Sequence, residues 1–498
     1  MSSLSIRVER LAFAYSDHVS LLSDVELHLR PGFTGLVGEN GSGKSTLLAL
    51  LDRRLSPVAG RIVLEPRDAL IAFCEQDVDH CPEHVIALAD RADADAGRWR
   101  GLLELEPLEL ARWTSLSAGE RRRWQLGAVL ARDPDVLLLD EPTNHLDARG
   151  RSLVVGALRR FRGIAVVVSH DRTLLDELTT STIRVSAGTA RLHPGTYSAA
   201  KALWEADAER TRDVRREAQR TAKQAERRLV KARDDQRGAD ANRSASRRKK
   251  GPADHDETGM GRTVVVGWAE ATAGRRVEVA RRDAERAAAA IPDAPIERSL
   301  GRSLFIDYEP SPRRWLLQLD GPVHHAGGGA LLRDVHVAVG ARDRIRIAGD
   351  NGAGKTSLVR RVLATHTLPA DRLLVLPQEL DDADVQRLVT ETRRLPAAAR
   401  GRVLSLVAAL GVDPDRLLAS AQPSPGEARK LALASGLGRH VWCLVLDEPT
   451  NHLDLPSIER LEEALAAYPG ALVLISHDES FARPLTTATW TVANGQVT

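Results

Sequence analysis

Two stretches of the chain carry the residue types that handle phosphate. Gly38–Ser45 (GENGSGKS) and Gly349–Thr356 (GDNGAGKT) share the pattern G-x-x-x-x-G-K-[ST]. Placed after a strand and before a helix, such a loop turns backbone N–H groups toward phosphate oxygens at a helix N-terminus. Gly38, Asn40, Gly41, Gly43 and Thr46 then cradle one nucleotide, and Gly349, Asn351, Gly352, Gly354 and Ser357 a second. Lys44 and Lys355 would reach the β- and γ-phosphates, while Ser45 and Thr356 would ligate Mg²⁺. Further along, Asp140-Glu141 and Asp447-Glu448 each end an apolar run. Asp140 and Asp447 would hold Mg²⁺ through water, and Glu141 and Glu448 would polarise the attacking water, unless these carboxylates merely cap helices. His170 and His477 sit in repeated Ser-His-Asp triplets; an isolated His there would pack or cap, but the repetition favours a γ-phosphate contact. Gln76 and Gln378 lie between P-loop and Asp-Glu pair in both copies, placed to contact Mg²⁺ and the water rather than to serve as ordinary loop amides.

These motifs repeat in one order, so residues 1–195 and 301–498 read as two copies of one domain. Each copy alternates short β-rich runs with helical stretches, which predicts an α/β fold with a parallel, doubly wound sheet. Strands are expected at Phe33–Val37, Val136–Leu139 and Ala165–Val168, and again at Arg344–Ala348, Leu444–Leu446 and Leu472–Ile475. Every motif then falls at a carboxyl end of a strand, where such sheets bind ligands. Residues 196–300 differ. Tyr197 to about Arg237 favours one long helix, Gly267 to Ala290 a second, and Gly238–Thr263, with its glycines and one proline, reads as a hairpin tip.

Composition excludes several classes. Apolar residues make up 43% of the 498 and charged ones 28%, a balance that supports buried cores rather than disorder. No apolar run nears the roughly 18 residues of a membrane span. Residues 1–9 lack a basic region followed by an apolar stretch, so no secretory signal is expected. Three cysteines without a CxxC pair imply reduced thiols in a cytoplasmic protein. Net charge is only +2, yet Tyr197–Leu300 holds 24 Lys and Arg against 18 Asp and Glu.

One further repeated pair is LSAGE at Leu116–Glu120 and PSPGE at Pro423–Glu427. Ser117 and Ser424 each open a helix and could be plain N-caps. Beside the other motifs, however, they resemble the signature loop of ATP-binding cassette (ABC) domains. In that family the signature of one cassette closes over ATP held by the other. The resemblance implies that Ser424 and Gly426 complete the site built on Lys44, and Ser117 and Gly119 the site built on Lys355. It also gives Tyr15 the place of the adenine-stacking aromatic, with His325 at the matching place in the second copy. Pro425 offers no N–H, so the Ser424 site would hydrolyse more slowly or act mainly as a clamp.

Two cassettes on one chain, an Asn-His-Leu-Asp run after each Asp-Glu-Pro-Thr, and a charged helical linker together resemble the ABC-F family of ribosome-associated ATPases. The fold implied is two P-loop ABC-type domains joined by a long α-helical hairpin, a monomer whose own cassettes pair. The implied partners are the ribosomal tRNA exit site, 23S rRNA and peptidyl-tRNA, with no membrane. The tip Asn242–Gly251 carries Arg243, Arg247, Arg248, Lys249 and Lys250 without an acid, either a phosphate-contacting surface or a solvated turn. Lys44 to Gly119 spans 75 positions and Lys355 to Gly426 spans 71, so no arm is inserted in the first cassette. The short frame with an extended linker is similar to the antibiotic-resistance subgroup. The alternatives are a housekeeping factor acting on stalled ribosomes and the ATPase subunit of a drug exporter.

Overall fold

Val136–Asp140 and Ile164–Val168 are near-continuous apolar runs because each is a central strand of a parallel sheet covered on both faces. Successive side chains point to opposite faces. Leu137, Leu139, Ala165 and Val167 therefore join the core on one side, and Val136, Leu138, Ile164 and Val166 the core on the other. Cys443–Asp447 and Ala471–Ile475 divide in the same way, Leu444, Leu446, Leu472 and Leu474 facing one cluster and Val445 and Val473 the other.

The structure is a computed structural model, and it describes residues 4–16, 19–75, 81–144, 146–248, 259–292, 305, 307–324, 329–350, 352–420 and 422–498. The first sheet has the spatial order Ile71–Cys74, Val136–Asp140, Ile164–Val168, Gly32–Gly38, Ser181–Ser186, Thr189–Pro194. All neighbours are parallel except the last pair. The second sheet repeats that order with Leu373–Leu376, Cys443–Asp447, Ala471–Ile475, Arg344–Ala348, Ala488–Ala493 and Gln496–Val497. Against one face of the first sheet lies an antiparallel sheet of Val19–Leu29, Ser5–Ser16 and Ala59–Glu65, whose Ile6, Leu11 and Leu22 complete that core. Met1–Ala200 and Arg298–Thr498 form a single unit, and Lys201–Glu297 forms another.

The linker departs from the reading of its sequence. Its first helix does not stop near Arg237 but runs Tyr197–Arg248, and its second begins at Gly259, not Gly267, and ends at Ala289. A helical glycine costs only about 1 kcal/mol relative to alanine, too little for Gly238 to end a helix rich in Ala and Arg. Arg243, Arg247 and Arg248 are consequently in the last turns of a helix; Lys249 and Lys250 lie outside the described residues. Among the described residues, no helix is long and apolar enough to cross a membrane.

The first glycine of each P-loop is required by packing. A Cβ on Gly38 would meet the Val185 carbonyl oxygen at 2.4 Å, and one on Gly349 would meet that of Val492 at 2.4 Å. Both contacts are to backbone of the neighbouring strand, which cannot swing aside. Gly38→Ala or Gly349→Ala should therefore destabilise the protein by about 1–3 kcal/mol and raise KM for ATP, read by thermal denaturation and ATPase assay. Gly101→Ala, with open space around its Cβ on a helix, should shift stability the other way, by at most about 1 kcal/mol.

Candidate active site

Each P-loop folds as a tight turn whose later glycines take left-handed backbone angles: φ is 76° at Gly41 and 103° at Gly43, and 81° at Gly352 and 105° at Gly354. Only glycine enters this region without steric cost. The helices Lys44–Leu51 and Lys355–Ala364 start immediately after, so their free N–H groups and positive dipole ends point into the cleft. Lys44 Nζ donates to the carbonyls of Gly38 and Glu39, both at 2.9 Å, and Lys355 Nζ to those of Gly349 and Asp350 at 2.7 and 3.0 Å. Burial lowers the pKa of both lysines despite surrounding carboxylates. Two ammonium groups held in carbonyl nests are poised for a better anionic partner.

Ser45 Oγ donates to Asp140 at 3.3 Å, and Thr356 Oγ1 to Asp447 at 3.2 Å. In each cassette a hydroxyl and a carboxylate from different elements thus converge. Hard oxygen donors in such small number suit Mg²⁺, which keeps several waters and takes other ligands from substrate phosphate. Among the described residues no cluster of three or more His, Cys, Asp or Glu could hold a metal by itself. Gln378 lines the same cleft; Gln76 and Asn351 lie outside the described residues.

Glu141 and Glu448 have left-handed backbone, with φ of 49° and 46°. Their N–H groups donate to Val168 and Ile475, each at 2.9 Å. Their carboxylates accept from the backbone N–H of His170 at 3.2 Å and of His477 at 3.0 Å. His170 Nε2 stands 3.2 Å from Glu141 Oε1 without hydrogen-bond geometry, which leaves Oε1 buried and unpartnered, as His170 Nδ1 also is. Burial, helped by Asp140, pushes the Glu141 carboxyl up to about 8; burial with Asp447 pushes Glu448 up to about 7. Burial and Lys44 push His170 down to about 4, and burial with Lys355 lowers His477. Both pairs are therefore a neutral imidazole beside a carboxyl whose proton is held near neutral pH.

Ser117 and Ser424 are N-caps, each closing a capping box with Glu120 or Glu427. Pro425 occupies the first helical turn, where no N–H is needed for the helix itself. Both serines also line a single cleft of 1560 Å³ together with both P-loops. Gly426 faces Asn40: a Cβ there would lie 2.8 Å from the His452 carbonyl and 3.9 Å from Asn40 Nδ2. The signature of the second cassette is thus beside the P-loop of the first. Tyr15 is 69% exposed at the cleft edge, its ring packed edge-on against Phe13 and its hydroxyl 3.0 Å from Thr46. His325 lies outside the described residues.

Several residues in and behind the cleft carried no assignment in the sequence. The Asn40 N–H donates to Asp454 Oδ2 at 2.7 Å, and Asn40 Nδ2 to the His452 carbonyl at 3.1 Å. Lys430, buried, places Nζ 3.8 Å from the same Asp454 oxygen. Burial works to raise the Asp454 carboxyl, but Lys430 and the N–H groups of Ser457 and Asn40 outweigh it and hold it low. Asp147 lines the same cleft, and its charge acts on Lys355 and His477. The only signal for either aspartate was its position as last residue of the repeated Asp-Glu-Pro-Thr-Asn-His-Leu-Asp. Arg172–Glu462 at 2.7 Å and Tyr197–Glu459 at 2.6 Å join the cassettes further out.

Comparison with known proteins gives these features a context. The family model described as ABC transporter matches residues 22–144 and 332–451. The tylosin resistance ATP-binding protein TlrC of Streptomyces fradiae is 31% identical over 541 residues, covering 93% of this chain and 93% of that one. The ribosome protection protein VmlR of Bacillus subtilis is 29% identical over 472 residues, covering 93% and 82%. The energy-dependent translational throttle protein EttA of Escherichia coli is 26% identical, covering 93% and 87%. Among solved structures, RNase-L Inhibitor shares the fold, with a TM-score of 0.60 at 18% identity over 97% of this chain.

A carboxyl with a raised folded pKa binds its proton more tightly in the folded state, so nucleotide-free stability is lost as pH rises from about 4.5 toward about 8. Glu141→Gln cannot ionise. Its unfolding free energy, read from urea denaturation, should gain on the wild type between pH 5 and 8, by at most about 1.4 kcal/mol per pH unit. Asp454→Ala strands Lys430 in the interior and should cost roughly 3 kcal/mol, of which adding Lys430→Met restores a part. Denaturation of the single and double variants measures this; equal losses in both would remove the pair from the account.

Proposed function

Because the chain belongs to the ABC-F family of ATP-binding cassette proteins and is an ATPase, we propose that it binds ribosomes in the cytoplasm and protects them from antibiotics acting at the peptidyl transferase centre or exit tunnel. The observation that carries this reading is the likeness to TlrC, a tylosin resistance protein, across 93% of both chains. VmlR, a ribosome protection protein, points the same way. Hydrolysis then serves release. EttA favours a second reading, a translation factor acting on stalled ribosomes.

In this reading Lys44 and Lys355 leave their carbonyl nests for the β- and γ-phosphates, which the P-loop N–H groups also bind. Ser45, Asp140 and Gln76, and Thr356, Asp447 and Gln378, would hold Mg²⁺, which would supply positive charge to offset that of the phosphates. Glu141 and Glu448 orient a water in line with the γ-phosphorus and take its proton as the new P–O bond forms and the bond to the leaving ADP oxygen breaks. The buried, unpartnered Oε1 of Glu141 is suited to that water. His170 and His477, held neutral, donate to the γ-phosphate. Ser424 and Gly426 close over the nucleotide on Lys44, and Ser117 and Gly119 over that on Lys355. Tyr15 stacks on adenine. Arg243, Arg247 and Arg248, with Lys249 and Lys250, meet phosphates of 23S rRNA or peptidyl-tRNA.

The test expresses the chain in a drug-sensitive host, alongside a Glu141→Gln/Glu448→Gln double variant. Wild type should confer resistance to tunnel-binding drugs and pellet with ribosomes. The double variant should lose about 10²- to 10⁴-fold in turnover, remain on ribosomes and protect less. Ribosome binding without resistance would favour the translation factor; resistance only with a permease, and no ribosome binding, would favour transport.

A further inference from the structure

Behind each of the two glutamates lies an arginine that is almost completely buried. Arg122 is 3% exposed and Arg429 is 2% exposed. They occupy the same position, five residues after Ser117 and Ser424 on the helices Ala118–Leu130 and Pro425–Gly438. Among the described residues, neither is neutralised by a carboxylate at hydrogen-bond distance. Their guanidinium groups are instead spent on main-chain carbonyls and, for Arg122, the Gln125 side chain.

Arg122 Nη2 donates to the carbonyls of Asp140 and Glu141, the latter at 2.8 Å, while Nη1 donates to the carbonyl of Glu75 and to Gln125 Oε1 at 2.9 Å. Arg429 Nη1 donates to the Glu448 carbonyl, and Nη2 to the carbonyls of Pro377 and Gln378, the former at 3.3 Å. In both cassettes one rigid fork therefore bridges the backbone of the glutamate and the backbone at the glutamine loop. That loop carries Gln76 in the first copy and Gln378 in the second.

The glutamate needs such a hold. A left-handed backbone at a non-glycine residue is strained and persists only where the surroundings over-determine it. Here the N–H of Glu141 is tied to Val168, its carboxylate to the His170 N–H, and its carbonyl to Arg122. Glu448 is tied in the same three ways to Ile475, His477 and Arg429. Removing the third tie frees the peptide after the glutamate to rotate, and with it the direction in which the carboxylate points. A planar guanidinium can serve two or three carbonyls at once; an ammonium on a flexible stem cannot hold the same fork.

We propose that Arg122 and Arg429 are positioning residues for hydrolysis, which fix the backbone of Glu141 and Glu448 and lock it to the glutamine loop of the same cassette. The proposal rests on the reading of Glu141 and Glu448 as the water-orienting groups. It makes the arginines act on turnover through those glutamates and not on nucleotide binding, because among the described residues their hydrogen bonds go to the strand end, the glutamine loop and Gln125, and none goes to a P-loop.

The experiment uses the full chain with Arg122→Lys and Arg429→Lys together, with the Glu141→Gln/Glu448→Gln variant, and with all four changes. Steady-state ATPase, affinity for a fluorescent ATP analogue and thermal midpoint are read for each. The expected result is a kcat lower by about 10²-fold, the loss typical of a misplaced catalytic group, with analogue affinity nearly unchanged. The four-fold variant should turn over no more slowly than the glutamate variant alone, since both act through one group. Unchanged kcat in a folded lysine variant overturns the proposal. So does a parallel loss of midpoint, affinity and kcat, seen again in Arg122→Gln and Arg429→Gln, which marks a merely structural arginine. If the glutamate variant itself keeps wild-type turnover, the reading of the glutamates fails instead, an outcome distinct from either.

Discussion

The site in each cassette depends on one rung of parallel sheet. Asp140 is paired with Val168, and Asp447 with Ile475, so the strand ending in Asp-Glu and the strand ending in Ser-His-Asp finish level. The next hydrogen bond, from the glutamate N–H to that same Val168 or Ile475 carbonyl, turns the chain into the left-handed bend that aims the carboxyl at the cleft. A register slip of one residue would send each carboxylate to the opposite face, into an apolar core. That error is forbidden by the cores themselves, because Leu137 and Leu139, or Leu444 and Leu446, would have to leave them. Hydrophobic packing on two faces thus fixes the position of the polar groups at the end.

The same packing explains why the polar groups are perturbed. Glu141, Glu448 and Lys44 are all below 10% exposed, at strand and helix ends that water reaches poorly. Burial disfavours charge on each of them, and the opposite charges nearby only partly compensate. A nucleotide with its phosphates would supply the anion that the lysines and helix N-termini lack. Electrostatic groups fixed in advance and away from water are those that act most strongly on a transition state.

Much of this was legible in the chain. Repeated glycines, a lysine and strand-terminal carboxylates are local patterns, and the strands they punctuate are short, apolar and regular. What escaped was of two kinds. The linker helices run past Gly238 and start before Gly267, since a single helical glycine is a weak obstacle in a long Ala- and Arg-rich stretch. The other kind is long-range. Asp454 meets Asn40, Glu462 meets Arg172, and Arg429 meets the carbonyl of Gln378, all partners distant in sequence. No periodicity or spacing announces such a pairing; only the folded arrangement of both cassettes creates it.

The two halves repeat their motifs without repeating every contact between them. Where Asp454 is buried between Asn40 and Lys430, Asp147 is half-buried and caps its own helix through Gly150. Lys430 has Arg123 as its counterpart after the signature serine, but Arg123 donates to the carbonyls of Leu103 and Glu104 instead. A buried ion pair costs desolvation, and it contributes only when its geometry is held and its remaining hydrogen bonds are met. At Asp454 both conditions are satisfied, by the Ser457 N–H as well as by the P-loop of the other cassette. The consequence is mechanical. The seam beside Lys44 ties a P-loop backbone to a buried charge, so opening that site means unpairing Asp454 in a medium of low dielectric. Asp147 holds the mirrored place near Lys355, and Asn351, the counterpart of Asn40, lies outside the described residues. Among the described residues, the cation six positions beyond each signature serine is thus spent on the seam in one cassette and on the main chain of its own cassette in the other.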